Sequence, residues 1–226
     1  MENFDFQHAF LLGEMMPYPS EEKLYIEIIV NNGRSQYFNP DYWYEIVKLA
    51  REKSTQGHEI LYAPAYRLKD KGSERSEDQN IIANCFWLDI KSPDTSLSFE
   101  KQYASIQRIF GEFMVCLSHY RRLTPTFVLS SGYAFHILFL MDKTYLAPFG
   151  DLIEIQSAMT KMVKGIEAAP ITGLIHLPGT FNYQDKDNPR KVEVIQDYRH
   201  LYSYEWETGF EPFDRDSFEK ILENYK

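Results

Sequence analysis

The stretch N-C-F-W-L-D-I-K at 84–91 is an apolar run that ends in a carboxylate and an ammonium two residues apart. Phe86, Trp87, Leu88 and Ile90 favour a strand, and residues i and i+2 of a strand share a face, so Asp89 and Lys91 are expected side by side at its end. A rigid apolar strand that carries polar groups to its edge can present them to metal, phosphate or substrate. The plainer alternative is a buried strand whose last two residues are solvated.

Composition sets the bounds around this strand. A chain of 226 residues with 44% hydrophobic and 15% aromatic content can bury one large core, and we read 1–226 as a single domain. The formal net charge is -9, so affinity for a polyanion has to come from a local basic patch rather than from the field of the whole molecule. Cys85 and Cys116 lie in apolar surroundings without metal-ligand spacing, which points to reduced core residues in a cytoplasmic protein. Residues 1–7 lack the basic start of a signal peptide, and no apolar run approaches the roughly 20 residues of a membrane span.

Along the chain, 24–30 and 34–38 are expected strands joined by Asn31-Asn32-Gly33, residues that tolerate positive φ. Helical spacing of Trp43, Ile46, Val47 and Ala50 predicts a helix over 40–51, with Asn39 as cap and Pro40 at its first position. A strand over 59–68 is followed by a charged loop over 69–80. After 84–91 comes a core-facing helix over 98–119, with Tyr103, Ile106, Ile109, Phe110, Phe113 and Leu117 on one stripe. A hairpin over 125–141 turns at Gly132, with His136 near its closed end. A second helix is expected over 149–166, facing Ile153, Met159, Met162 and Val163 inward, then strands over 172–183 and 191–195 and a surface helix over 214–225. Mixed strands with two long helices make an α+β domain.

Three stretches stand out together: L-D-I-K at 88–91, S-S-G-Y-A-F-H-I-L-F at 130–139 and L-I-H-L-P-G-T-F-N-Y at 174–183. Their order and spacing over about 61–195 resemble the archaeo-eukaryotic primase superfamily, specifically the primase-polymerase domains of plasmid and phage replication proteins. That family shows an acidic D-x-D strand, an S-G-x-G-x-H strand pair, and a late acid before an R-L-P-G-T-x-N-x-K segment. The resemblance implies a primase-polymerase-like fold, a mixed sheet with an RRM-like core and helices packed on one side, with 196–226 as a C-terminal extension. It also implies template-directed nucleotidyl transfer with Mg2+ or Mn2+, in which carboxylates bridge two ions about 3.5–4 Å apart.

Carried over residue by residue, the resemblance puts Asp89 on the first acid and His136 on the histidine that contacts the incoming triphosphate. Pro178, Gly179, Thr180 and Asn182 fall on the late segment, and Ser131, His136, His176 and Asn182 become the nucleotide-binding set. The departures are specific. Lys91 stands where the second acid belongs, and an ammonium there repels a divalent cation and can pair with Asp89. Pro170 and Ile171 stand where the third acid is expected, leaving Glu167 as the nearest carboxylate. His176 replaces the usual arginine, and Gln184 replaces the lysine.

Two readings follow for Asp89, Lys91 and His136 as the catalytic group. In one, Asp89 with Glu167 or Asp94 still holds a metal, and the domain is an active primase or polymerase. In the other, the metal motifs are degenerate, transfer is weakened or lost, and the domain binds nucleoside triphosphates and single-stranded DNA template or docks a replicative helicase or polymerase. Arg121, Arg122, Arg190 and Lys191 are candidate backbone contacts for nucleic acid, with Tyr133 as a base-stacking ring. A reading of another class is a protein-interaction domain presenting the aromatic residues Tyr202, Tyr204, Trp206 and Phe210.

Overall fold

In the computed structural model, residues 24–68, 81–120, 124–146, 149–198 and 215–225 are described. The charged loop over 69–80, Arg121, Arg122 and the aromatic residues of 202–210 lie outside them. The chain is α+β and divides into two compact units, each assembled from separated segments.

The first unit opens with β1 (Ile26–Val30) and β2 (Gln36–Phe38), antiparallel, with Ile28 opposite Gln36. Asn31 and Asn32 both take positive φ in the turn between them, and Gly33 N–H donates to Val30 O at 2.8 Å. This is the two-residue geometry that asparagines tolerate. Asn39 then caps the next element, its side-chain oxygen accepting from Asp41 N–H. A single 3-10 turn at Pro40–Tyr42 leads into α1 (Trp43–Thr55), which buries Trp43, Ile46, Val47 and Ala50 as their spacing predicts.

The strand expected over 59–68 is two short strands, β3 (Ile60–Tyr62) and β4 (Tyr66–Arg67), since Pro64 between them has no N–H for a ladder. Likewise 172–183 yields only β9 (Ile175–His176) and β10 (Phe181–Asn182), separated by the Pro178-Gly179 turn. A four-stranded sheet runs β2-β1-β3-β9, and β10 pairs with β11 (Arg190–Lys191). β4 pairs with the opening residues of β5 (Ile81–Lys91), whose first four residues belong to this unit.

The second unit takes β5 from Cys85 onward, α2 (Phe99–Leu117), β6 (Phe127–Ser130), β7 (Ala134–Leu146) through Lys143, α3 (Gly150–Thr160), β8 (Ile166–Ala168) and α4 (Arg215–Tyr225). Its strands run β12 (Glu193–Asp197, in this unit from Ile195 onward), β6, β7, β5 in order, and β8 lies antiparallel against the far end of β5. β5 is buried from Ile81 to Leu88, the near-continuous apolar reading of a strand covered on both faces. Phe86 stacks on Phe139 with ring centroids 4.9 Å apart, and Phe135, on the Phe139 face of β7, takes edge contacts from Tyr103 and Phe110 of α2. α2 therefore covers the face that carries Phe86, Phe135 and Phe139. Asp89 and His136, at alternate positions on the same strands, belong to the other face.

The second helix departs from expectation. α3 ends at Thr160 rather than 166, and Ile153 faces solvent at 55% exposure. Leu152 and Ile155 take its place in the core, beside Met159 and Val163, which are buried as expected. The buried Gln156 joins them: its amide donates to the carbonyls of Trp87 and Ala169, both at 2.8 Å. Buried carbonyls need such partners. The residues after α3 include Gly165, whose φ of +103 would strain any L side chain and where a Cβ would come within 2.8 Å of the end of the Ile109 side chain, and then β8. α4 lies against α3 and buries Ile221.

Candidate functional site

Strand alternation and one pairing register build a charged cluster in the second unit. Along β5 and β8, Leu88 faces Ala168, Asp89 faces Glu167 and Ile90 faces Ile166. Two carboxylates are thus directly opposite on one face, an arrangement that is unfavourable on its own. Lys91, two residues past Asp89 on the same face, sets its Nζ 3.6 Å from Asp89 Oδ2 and 3.2 Å from Glu167 Oε2. The ammonium bridges the two acids.

The hairpin supplies the fourth member. β6 and β7 pair with Leu129 opposite His136, and the turn is closed by Ser131, whose N–H and hydroxyl both donate to Ala134 O. His136 Nδ1 lies 2.7 Å from Asp89 Oδ1. A carboxylate only accepts, so Nδ1 carries the proton and Asp89 fixes the ring's tautomer and orientation. His136 is 7% exposed, and its Nε2 is buried without a hydrogen-bond partner among the described residues.

The electrostatics follow from this geometry. Burial pushes the Asp89 carboxyl up, but the hydrogen bond and charge of His136, with Lys91 behind them, outweigh it and hold Asp89 below the usual aspartate range. Partial burial pulls Lys91 down, and its carboxylate partners Glu167 and Asp89 more than reverse this, leaving it above the ordinary lysine value. Burial alone raises the Cys85 thiol to about 12, so it is no nucleophile.

Of the residues expected at the site, Asp89, Lys91, His136 and Glu167 meet here. Ser131 is engaged in its own hairpin turn, and Tyr133 packs edge-on against Phe99 with ring centroids 6.2 Å apart. His176, Asn182, Arg190 and Lys191 lie in the first unit. His176 Nε2 is 2.8 Å from Glu59 Oε1, and this contact holds the Glu59 carboxyl below its ordinary range. Asn182 is buried, accepts from Gln184 N–H at 2.9 Å, and sits opposite Arg190 in the register of β10 and β11. Lys191 Nζ is 3.2 Å from Glu193. The Pro178-Gly179-Thr180 segment is pinned by main chain, with Gly179 N–H on Val192 O and Val192 N–H on Thr180 O. Asp94, the other acid considered beside Asp89, accepts from Ser96 in a local turn.

The divalent ion that the resemblance implies does not fit these donors. Among the described residues no group of three or more His, Cys, Asp or Glu side chains is placed to hold a metal ion. Mg2+ wants a near-octahedral oxygen set. Here one Asp89 oxygen is bonded to His136, the other faces Lys91, and Glu167 Oε2 accepts from the same ammonium.

No helix among the described residues is long and apolar enough to cross a membrane. No family model matches the chain, and no curated protein matches it. Among solved structures, the catalytic domain of primase RepB′ in complex with initiator DNA is similar at a TM-score of 0.47 and 13% identity, over 84% of this chain and 84% of that one. A structure of primase RepB′ is similar at a TM-score of 0.49 and 10% identity, over 84% of this chain and 56% of that one. The chain thus spans little more than half the length of the second.

Proposed function

We propose that this chain is a replication-associated, primase-polymerase-like domain that binds nucleotide and single-stranded DNA, with template-directed nucleotidyl transfer weakened or lost. The observation that carries the reading is the meeting of Asp89, Lys91, His136 and Glu167, drawn from three separate stretches of chain, on one face of one sheet. Asp89 and His136 are the two positions at which the motif resemblance expects an acid and a histidine together. The ammonium of Lys91, where that resemblance expects an acid, supports binding over transfer: it can hold a phosphate group as a point charge. Template backbone contacts fall to Arg121, Arg122, Arg190 and Lys191, and a helicase or polymerase is the class of protein partner such a domain would serve.

The test has two stages. Single-stranded DNA should bind with an affinity that falls as salt rises, since counterion release drives backbone contacts. Absence of binding would return the chain to the protein-interaction reading. Primer synthesis and extension are then measured with Mn2+ for wild type and Asp89→Ala. Little product from either is expected, and robust wild-type synthesis abolished by Asp89→Ala refutes the loss of transfer.

A further inference from the structure

We propose that the Lys91 ammonium is a tethered substitute for a divalent cation, so that this site receives phosphate without metal, and that removing the charge at 91 converts it into a cation site. The proposal deepens the reading above and rests on it for the phosphate, though not for the cation.

The argument starts from the register. Asp89 and Glu167 face one another across β5 and β8, and two like charges so placed call for a positive charge between them. A metal ion could supply it, and so can an ammonium on the same strand. Lys91 supplies it here, 3.6 Å from one carboxylate and 3.2 Å from the other. Both Asp89 oxygens are engaged, one by His136 and one by Lys91, so an incoming ion would have to displace the ammonium to gain either acid. The Lys91 side chain is 53% exposed, which leaves its remaining N–H donors open to an anion arriving from solvent.

The experiment titrates Mn2+ alone into the purified chain and follows the free ion by electron paramagnetic resonance. Wild type, Lys91→Arg, Lys91→Met and the double variant Lys91→Met with Glu167→Gln are compared. Wild type and Lys91→Arg should leave the ion free, while Lys91→Met should bind it about tenfold tighter or more, and Glu167→Gln should cancel that gain. Lys91→Gln carries the same expectation should Lys91→Met not fold. Equal Mn2+ binding by wild type and Lys91→Met, whether tight or absent, overturns the proposal. A second arm uses inorganic tripolyphosphate: wild-type binding should be the same with EDTA as with Mg2+, and binding that requires Mg2+ overturns the metal-free assignment. Failure of the reading above shows separately, as wild type that binds no single-stranded DNA, and leaves the Mn2+ comparison standing.

Discussion

In the first unit Glu27 and Arg67 meet inside the protein, whereas in the second Asp89, Lys91 and Glu167 meet where solvent reaches them. The Arg67 Nε and Nη2 both donate to Glu27 Oε2, at 3.1 and 2.6 Å, and the Ser35 hydroxyl takes Oε1 at 2.5 Å. The side chains are 9% and 0% exposed. Backbone bonds both ways between Tyr25 and Arg67 hold the guanidinium beside the residue two places on from Tyr25, which is Glu27. Around Lys91 the two outer groups are 53% and 62% exposed, and only Asp89 and His136 are withdrawn from water. A closed ion pair is withdrawn from solvent and from any ligand, so its work is in the fold. An open one keeps donors that a ligand can use, and the second cluster is therefore the functional candidate.

Removing one partner should separate the two most sharply. Arg67→Met strips Glu27 of its buried cation, and urea unfolding should show a loss of about 3–5 kcal/mol. Replacing both partners with apolar residues, Glu27→Leu with Arg67→Met, should recover most of it, because the cost lies in the uncompensated charge rather than in the pair. A single variant that unfolds like wild type would put the closed cluster in the same class as the open one.

What could be read in advance depends on how local the physics is. Asp89 beside Lys91 follows from the two-residue period of a strand, and His136 near the closed end of its hairpin follows from Gly132 between two strand-like runs. The approach of Asp89 to His136 came from the spacing of three motifs, and the distance of 2.7 Å supplies its geometry. Glu167 was harder to place. It lies on a three-residue strand inside a stretch whose apolar spacing continues the preceding helix, although that helix ends at Thr160 and the positive φ of Gly165 lies between the two elements. Partners set by long-range register were invisible: Glu59 for His176, Arg67 for Glu27, Gln156 for two carbonyls. The division into two units was equally hidden, since each gathers distant segments and composition marks linkers rather than contact clusters.

A pH series sharpens the comparison with a middle-sized effect. The folded state holds Asp89 below its ordinary value of 3.8, so the unfolded chain takes up that proton first. The contribution of Asp89 is then complete above the unfolded value and disappears as pH falls through the folded one. Asp89→Asn replaces a charge-assisted bond to His136 with a neutral one and should cost about 1 kcal/mol near neutrality. Measured by urea unfolding from pH 7 to pH 2, the gap between wild type and Asp89→Asn should stay constant down to about pH 5 and close below about pH 4. A gap unchanged at pH 2 would mean that the carboxylate charge contributes nothing there.

The smallest effect carries the most weight for function. Lys91 bridges two acids but is half in water, where each pair gains little over solvation, so Lys91→Met should change stability by no more than about 1 kcal/mol. Its folded value lies above the ordinary 10.5, so the sign is opposite to that of Asp89: its contribution is complete below the unfolded value and lost as pH rises through the folded one. Any small advantage of wild type over Lys91→Met in urea should therefore persist through neutrality and vanish in strong alkali. A loss as large as that of Arg67→Met would show Lys91 to be a structural countercharge after all. A near-silent substitution leaves this ammonium, held between two acids at little gain to the fold, available to a ligand.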